Sequence, residues 1–380
     1  MAPYVEVISG PTLLDDLGAD LDDLHDATDA PITARRPWLT AWLGAFTAGT
    51  PSAVTVRSGP SGRLDAVALL CSVETEGVVE VAAVGHGRND RGRLPARTPD
   101  ACDALADGLV GFLDSMDSEW ALRVEQLPAD DPVASRLVDR LEIGFILPGG
   151  LVPRIEFQDE AGHLEGLLGR GMRKQLRRAR ARMEAEGIQA CLSFEVESGR
   201  IAELLDEIEA THRARDHAVG RSSDIDAEPA RQFWRDVISR HAARCEVEVA
   251  TLRFGPSLAA YVVSLLDGES YRVLDGRFDT EWSRFSPGRL VETATLEKAF
   301  GDGRFSNLDW MNSVASEKLV AANYFEETQH LIGCSRSLAQ GLALPGLKAL
   351  LEEEAEKRPT ADRALAALLG RPGRYQRPIA

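Results

Sequence analysis

Residues 170–182 read RGMRKQLRRARAR and hold seven cations and no acid, in a chain whose net charge is −17 at neutral pH. Such a concentration of one sign against the global balance points to an anionic partner. A second anion-seeking group follows at Arg284, Ser286, Pro287, Gly288 and Arg289. Proline suits the first turn of a helix, where its missing N–H would have no partner, so this segment opens a helix. The free N–H groups and dipole of such an N-terminus favour phosphate, and Arg284, Ser286, Gly288 and Arg289 surround it.

The elements that must carry these groups are legible from spacing. Leu164, Leu168, Met172, Leu176, Ala179 and Met183 recur three and four residues apart, which is one apolar stripe of a helix. Arg173, Arg177 and Arg180 flank the stripe, and Arg170, Lys174, Arg178 and Arg182 cover the remaining faces. No acid sits four residues from these cations until Glu184 and Glu186. A charge run is also what a merely solvated face looks like. A free nucleic-acid binder normally shows a basic domain, and this chain is acidic, so the contact predicted is local. Its candidates are the phosphates of a cofactor, a nucleotide-linked substrate or the end of an RNA.

At 380 residues the chain is long for one core and comfortable for two. Its apolar content of 44% is that of an ordinary globular protein, and no apolar run approaches a membrane span. The first ten residues lack the basic start and apolar core of a signal peptide, which gives a cytoplasmic expectation with no membrane partner. The five cysteines, Cys71, Cys102, Cys191, Cys245 and Cys334, are scattered without a C-x-x-C spacing. Neither a zinc site nor a disulfide framework is supported.

An internal echo organises the chain. Residues 56–70 read VRSGPSGRLDAVALL and residues 252–266 read LRFGPSLAAYVVSLL. In both, Arg-x-Gly-Pro-Ser precedes an apolar, β-rich run, so each is a predicted hairpin. The spacing of half a chain is what duplication of a domain requires. In the second half the basic helix is followed by an amphipathic helix with Ile201, Leu204, Leu205, Ile208 and His212 on one side. A polar loop at 220–226, a helix near 230–243, strands at 247–253, 258–266 and 270–274, the helix to about Phe300 and a strand at 306–311 come next.

This order, with HRAR, GPSLAAYVV, YRVLDGRFDTEWSRFSPGRLVETATLEKAF and LDWMNSVASEKL, resembles the GNAT acyltransferases, specifically the CelD-like group, which is similar to the Fem family of aminoacyl-tRNA-dependent transferases. The likeness is good over 151–324 and loose before it; Asp279, Trp282, Ser286-Pro287-Gly288 and Glu317-Lys318 carry it most specifically. The resemblance implies an α/β protein of tandem GNAT-like domains, each a mixed, mostly antiparallel sheet flanked by helices. Their expected bounds are 1–150 for a degenerate first domain, 151–335 for the catalytic one and 336–380 for a helical extension and tail. The family's pyrophosphate loop, [QR]-x-x-G-x-[GA], is altered here by one extra residue before Gly288 and by Arg289 in place of a small residue.

Acyl transfer to an amine requires donor and acceptor in line, a neutral amine, a stabilised oxyanion and a protonated leaving group. Asp275 and Asp309 are the candidates to accept or hold the ammonium proton. Asp275-Gly276 is also a strong turn dipeptide, and Asp309 can equally be a buried cap or ion-pair partner. Lys318 is the candidate cation near the donor. Arg284, Ser286, Gly288 and Arg289 form the expected cofactor-binding set; Arg173, Lys174, Arg177 and Arg178 are the phosphate or RNA contacts; Tyr261 and Trp310 are the candidate acceptor pocket. His212, on the apolar face of its helix, reads as a core histidine, and His217 beside Asp216 is left open. The expected activity is transfer from acyl-CoA to the amine of a small molecule, without a metal or a permanently bound cofactor. A Fem-like transfer from aminoacyl-tRNA and a silent nucleotide-ligand binder are the alternatives.

Overall fold

Both Gly-Pro segments are hairpins in the computed structural model, which describes residues 3–88, 91–157, 167–311 and 321–341. In the first, β2 (Thr50–Arg57) pairs with β3 (Leu64–Thr75); in the second, β8 (Val247–Phe254) pairs with β9 (Ser257–Asp267). The ladders share an irregularity immediately before the arginine of the motif, between Val56 and Arg57 and between Leu252 and Arg253. Each arginine then does the same two things. Arg57 donates to the Gly62 carbonyl in its turn and to Asp20, while Arg253 donates to the Pro256 carbonyl and to Glu207.

The chain divides into two compact units, one holding Met1–Leu151 and the described residues from Glu327 to 341, the other Val152–Glu326. In the first unit the elements run β1 (Tyr4–Ser9), α1 (Leu13–Ala27), α2 (Arg36–Ala45), β2, β3, β4 (Val78–Ala83), α3 (Pro99–Asp114), β5 (Glu119–Pro128), α4 (Pro132–Arg140) and β6 (Gly144–Glu156). The second unit adds α5 (Arg170–Ala185) and repeats the order with β7 (Ala190–Glu195), α6 (Ser198–Ala218), α7 (Glu228–Ala242), β8, β9, β10 (Ser270–Phe278), α8 (Pro287–Asp302) and β11 (Asn307–Asp309). It ends on β12 (Tyr324–Cys334), followed by α9 (Arg336–Gly341).

The pairings repeat with the order. Strands β1 to β4 and β7 to β10 are antiparallel neighbours, and β4–β5 and β10–β11 are the parallel pairs. The closing strands are exchanged: β12 pairs antiparallel with β5, and β6 pairs antiparallel with β11. This places the residues from Glu327 with the first unit rather than with the segment that precedes them.

Within the second unit, β8 and β9 are almost wholly buried, as strands covered on both faces must be. Helix α8 packs against β8, β9 and β10, and α6 and α7 pack on the same strands. Helix α5 buries Leu176, Ala179 and Met183 and leaves Arg170, Arg173, Lys174, Arg177, Arg178, Arg180 and Arg182 exposed, as the stripe predicts. The stripe's earlier residue Leu164 lies outside the described residues. Among the described residues, no helix is long and apolar enough to cross a membrane.

Candidate active site

Helix α6 buries Ile201, Leu205 and Ile208, and the next residue of that stripe is His212, with Asp216 one turn further on; both are buried. Strand β10 supplies the facing groups. It runs to Phe278, and an irregularity between Val273 and Asp275 turns Arg272, Asp275 and Arg277 to one face, opposite Leu265, Val263 and Tyr261 of β9. Asp275-Gly276 is therefore strand interior, and neither the expected strand end at 274 nor a turn is present. The extra residue of the bulge re-aims the carboxylate without breaking the strand.

Around His212 the contacts converge. Its Nδ1 lies 2.9 Å from Asp275 Oδ2, and its Nε2 lies 2.9 Å from Asp224 Oδ1 and 3.2 Å from Asp216 Oδ2. The Tyr261 hydroxyl donates to Asp275 Oδ2 at 2.7 Å, and Arg277 donates to Asp275 Oδ1 at 2.8 Å. Asp216 also pairs with Arg221 at 2.9 Å and with Arg277 at 3.3 Å. Of the three carboxylates on the imidazole, Asp216 and Asp275 are buried, whereas the Asp224 side chain, in the loop 219–227, is 56% exposed.

The electrostatics follow from this geometry. Burial by itself would lower the His212 pKa, but the charge of Asp275 and hydrogen bonds to Asp224 and Asp275 push it up to about 9. Burial would raise Asp275; the charges of Arg277 and His212, with hydrogen bonds from His212 and Tyr261, hold it well below the carboxylate range instead. Burial and the Asp275 charge push the Tyr261 hydroxyl far up. An ionised carboxylate with both oxygens engaged orients its partners and is a poor proton acceptor. Asp275 is thus the group that fixes His212, not a free base.

His212, Asp216 and Asp224 are also metal-ligand types whose atoms lie within 4.8 Å of one another. The guanidinium of Arg277, 3.3 Å from both His212 Nε2 and Asp216 Oδ1, already supplies a cation at that point.

The first unit builds the same fold without this chemistry. His25 stands five residues after Asp20, the partner of Arg57, as His212 stands five after Glu207, the partner of Arg253. Counted from the two arginines, the strand registers match Val67 to Tyr261 and Leu69 to Val263, the residue that faces Asp275. Leu69 and Ala83 line a cavity of about 30 Å³ together with His25 and Val67. His25 is 2% exposed, its Nδ1 has no hydrogen-bond partner, and burial first, then Arg35, lowers its pKa to about 4.

The two units differ in the same way at the helix that follows the fourth strand. Helix α3 opens with Thr98-Pro99-Asp100; Thr98 caps the Ala101 N–H at 3.2 Å, and Asp100 places an acid in the first turn. Helix α8 opens with Ser286-Pro287-Gly288, has no acid in its first turn and no side-chain cap, and Ser286 is left-handed at φ 52°. Helix geometry leaves the Gly288 and Arg289 N–H groups without an intrahelical acceptor. A Cβ on Gly288 would lie 3.0 Å from Phe278 Cδ1, so glycine keeps this turn close to β10.

Helix α5 borders that N-terminus. Gln175 donates to Ser286 Oγ at 3.3 Å, and Arg182 donates to the Arg284 carbonyl at 2.7 Å. Arg284 is paired with Glu186 and Arg289 with Glu292. Arg215 of α6 stacks on Phe278, 4.4 Å from the ring centroid, and no carboxylate of a described residue pairs with it. Beside this point, among the described residues, β10 pairs with β11 over Ser270–Arg272 and continues along β9 to Phe278.

The remaining sequence candidates fall elsewhere. Asp309 has no exposed surface; it pairs with Arg272 and accepts the Met311 N–H, the structural role of a buried ion-pair partner and cap. Trp310 donates to the Ala321 carbonyl at 2.7 Å and packs with Ile155, Leu176 and Leu308, so it is core rather than pocket lining. Tyr261 is fully buried and belongs to the Asp275 cluster. Lys318 lies outside the described residues. His217 pairs with Asp226 at 2.8 Å. Sequence reasoning missed the partnership of His212: Asp216 stands four residues along the same helix, but the two acids at 2.9 Å come from 12 and 63 residues away.

Residues 170–319 match the acetyltransferase (GNAT) domain family. No curated protein sequence matches the chain significantly. Among solved structures, FemX superposes with a TM-score of 0.61 at 10% identity, covering 85% of this chain and 98% of FemX. The C-terminal domain of a protein assigned as a lysylphosphatidylglycerol synthetase from Agrobacterium fabrum gives 0.51 at 13%, covering 87% and 97%. A conserved protein of unknown function from Bacteroides thetaiotaomicron gives 0.52 at 13%, covering 84% and 97%. Residues 170–319 of the second unit therefore form an acetyltransferase (GNAT) domain, the first unit repeats its topology, and the chain has the fold of FemX.

Proposed function

We propose that the second unit transfers an acyl group from a coenzyme A thioester to the amine of a small molecule, and that the first unit is a degenerate copy. One contrast carries this reading. Where the first unit has a capped helix and an apolar cavity, the second has an open helix N-terminus and a buried polar cluster. The fold does not need that cluster, since its duplicate is built without it. Buried charges cost stability that apolar residues would not, so their retention points to chemistry.

In this reading the donor's pyrophosphate sits at the α8 N-terminus, held by the Gly288 and Arg289 N–H groups, the Ser286 hydroxyl and the Arg215 guanidinium, with Lys174 and Arg178 of α5 beside it. Arg284 and Arg289 are engaged by Glu186 and Glu292 and assist from the rim. The thioester lies along the part of β10 beyond Arg272, and the acceptor approaches from the side of α6. Such donors are made in the cytoplasm, which is where the reading puts the protein. The test is direct: coenzyme A at sub-millimolar concentration should raise the melting temperature, and acetyl-CoA with a panel of amino sugars and amino acids should yield an amide. No shift with any acyl-CoA overturns the CoA donor.

A second donor is supported by the cations of α5 that point away from α8. Arg173, Arg177 and Arg180 lie on the far flank of the helix from Gln175 and Arg182, and no carboxylate of a described residue pairs with them. An aminoacyl-tRNA brings phosphates enough to use them, a single coenzyme A does not. Retention of tRNA at low salt, lost as salt rises, favours this donor. A ligand that binds while no amide forms with either donor would support the silent-binder alternative.

A further inference from the structure

We infer that His212 carries the proton transfers of this reaction, that Asp275 orients it through Nδ1, and that the acceptor amine takes the place of Asp224 at Nε2. The inference rests on the acyl-transfer reading above. Four observations support it.

The Asp275 carboxylate is buried and held on both oxygens, by His212 and Tyr261 on Oδ2 and by Arg277 on Oδ1, so it fixes the ring and its tautomer. This is the division of labour by which a buried carboxylate makes a histidine a directed base. On the other ring nitrogen the partners are unequal. Asp216 is buried and tied to Arg221 and Arg277, whereas Asp224 is an exposed residue of the loop. Nε2 is thus the ring atom separated from solvent by an exposed side chain. The matching histidine of the first unit has no hydrogen-bond partner on Nδ1 and lies in a cavity lined by Leu69 and Ala83, so the counterpart of the His212–Asp275 contact is absent where the helix N-terminus is also closed.

The chemistry balances. With Asp224 in place the imidazole is a cation at neutral pH and can take no proton. When the acceptor displaces Asp224, one of the groups that raise the imidazole pKa is lost and the ring gives up its proton more readily, becoming a neutral base. The neutral amine then attacks the thioester carbonyl; as the C–N bond forms, its N–H proton passes to Nε2. As the C–S bond breaks, the same proton passes from Nε2 to the departing sulfur. The products are an amide and a free thiol, and the imidazole returns to its neutral form. Groups facing the ring are Asp275 and Arg277 from β10, Tyr261 from β9, Asp216 from α6, Asp224 from the loop with Arg221 behind Asp216, and Trp234 of α7 edge-on at 6.2 Å. Among the acids touching the ring, Asp224 is the exposed one.

The experiment uses the full chain, wild type, Asp224→Asn and His212→Gln. Imidazole titration by NMR needs no turnover: the His212 resonance should titrate near pH 9 in the wild type and at least one pH unit lower in Asp224→Asn. With acetyl-CoA and hydroxylamine as the amine probe, the acidic limb of kcat/KM, which reports the free enzyme with Asp224 in place, should move down by a similar interval in Asp224→Asn. In His212→Gln the limb should vanish and the rate should fall by about 100-fold or more. A His212 titration unmoved by Asp224→Asn, or an acidic limb kept in His212→Gln, overturns the proposal. If the wild type consumes no acyl-CoA, the acyl-transfer reading fails by itself, and the NMR result still decides whether Asp224 governs His212.

Discussion

His212 Nδ1 and Asp275 Oδ2 meet at 2.9 Å inside the second unit, whereas His25, at the matching place of the first unit, shares its surroundings with Ala83 and has no partner on Nδ1. Two copies of one fold thus solve the same packing problem with opposite chemistry. The apolar copy acts as an internal control, showing what the topology requires by itself.

That control predicts how substitutions add. Asp275→Ala alone leaves His212, Arg277 and Tyr261 facing a void, and loss of one partner from a buried ion network costs about 3–5 kcal/mol. Replacing Tyr261, Asp275 and Arg277 together with Val, Ala and Leu gives His212 an apolar surrounding like that of His25. The triple variant should be more stable than the single one, as read from urea midpoints, while acyl transfer is lost in both. A triple variant less stable than Asp275→Ala would show that the cluster is part of the scaffold.

Stability should also depend on pH with opposite signs at the two histidines. His212 has its pKa raised to about 9, above the ordinary 6.5, so its contribution is full below pH 6.5 and is lost as pH rises through 9. His25 has its pKa lowered to about 4, so its contribution is present above pH 6.5 and is lost as pH falls toward 4. Denaturant midpoints followed from pH 4 to 10 should fall at both ends. In His212→Gln the alkaline decline should flatten and the acidic one persist.

Much of this arrangement was legible locally. The hairpin arginines, the apolar stripes of α5 and α6 and the proline that opens α8 are signals of neighbouring residues, and each element formed where its period predicts. The long-range partnerships were not. His212 sits on an apolar stripe and so reads as core, which its 2% exposure bears out; Asp216 lies one turn along its helix, but Asp224 and Asp275 come from a loop and a strand that no periodicity links to it. Asp275-Gly276 reads as a turn because the dipeptide suits one, yet pairing with β9 on both sides of a bulge keeps it in a strand. The exchange of β6 and β12 is a choice among equivalent strand neighbours and leaves no mark on either sequence.

Arg215 should matter for the donor and not for the fold. It stacks on Phe278, whose ring edge abuts Gly288, and no acid of a described residue neutralises it, whereas Arg284 and Arg289 are both paired. Arg215→Gln should leave the melting temperature of the free protein unchanged within about a degree. Affinity for coenzyme A should drop about tenfold, the worth of one charge-assisted hydrogen bond. Pantetheine, which lacks the phosphates, should bind both proteins equally. Equal coenzyme A affinity in the variant would remove Arg215 from the donor site.

The cations of α5 separate into two groups once the helix is docked. Gln175 and Arg182 contact the start of α8, so Arg178, between them on the helix surface, and Lys174 beside it face the donor; Arg173, Arg177 and Arg180 lie on the opposite flank. Lys174→Gln with Arg178→Gln should weaken coenzyme A binding and spare any retention of tRNA. Arg173→Glu with Arg177→Glu should do the reverse, and the logarithmic salt slope of tRNA retention should flatten by roughly 0.7–0.9 for each phosphate contact removed. Coenzyme A binding weakened equally by both pairs would mean that the helix acts through its overall field, since a screened field does not distinguish flanks only a helix diameter apart. Unequal effects assign the near flank to the thioester donor and leave the far flank to a larger polyanion.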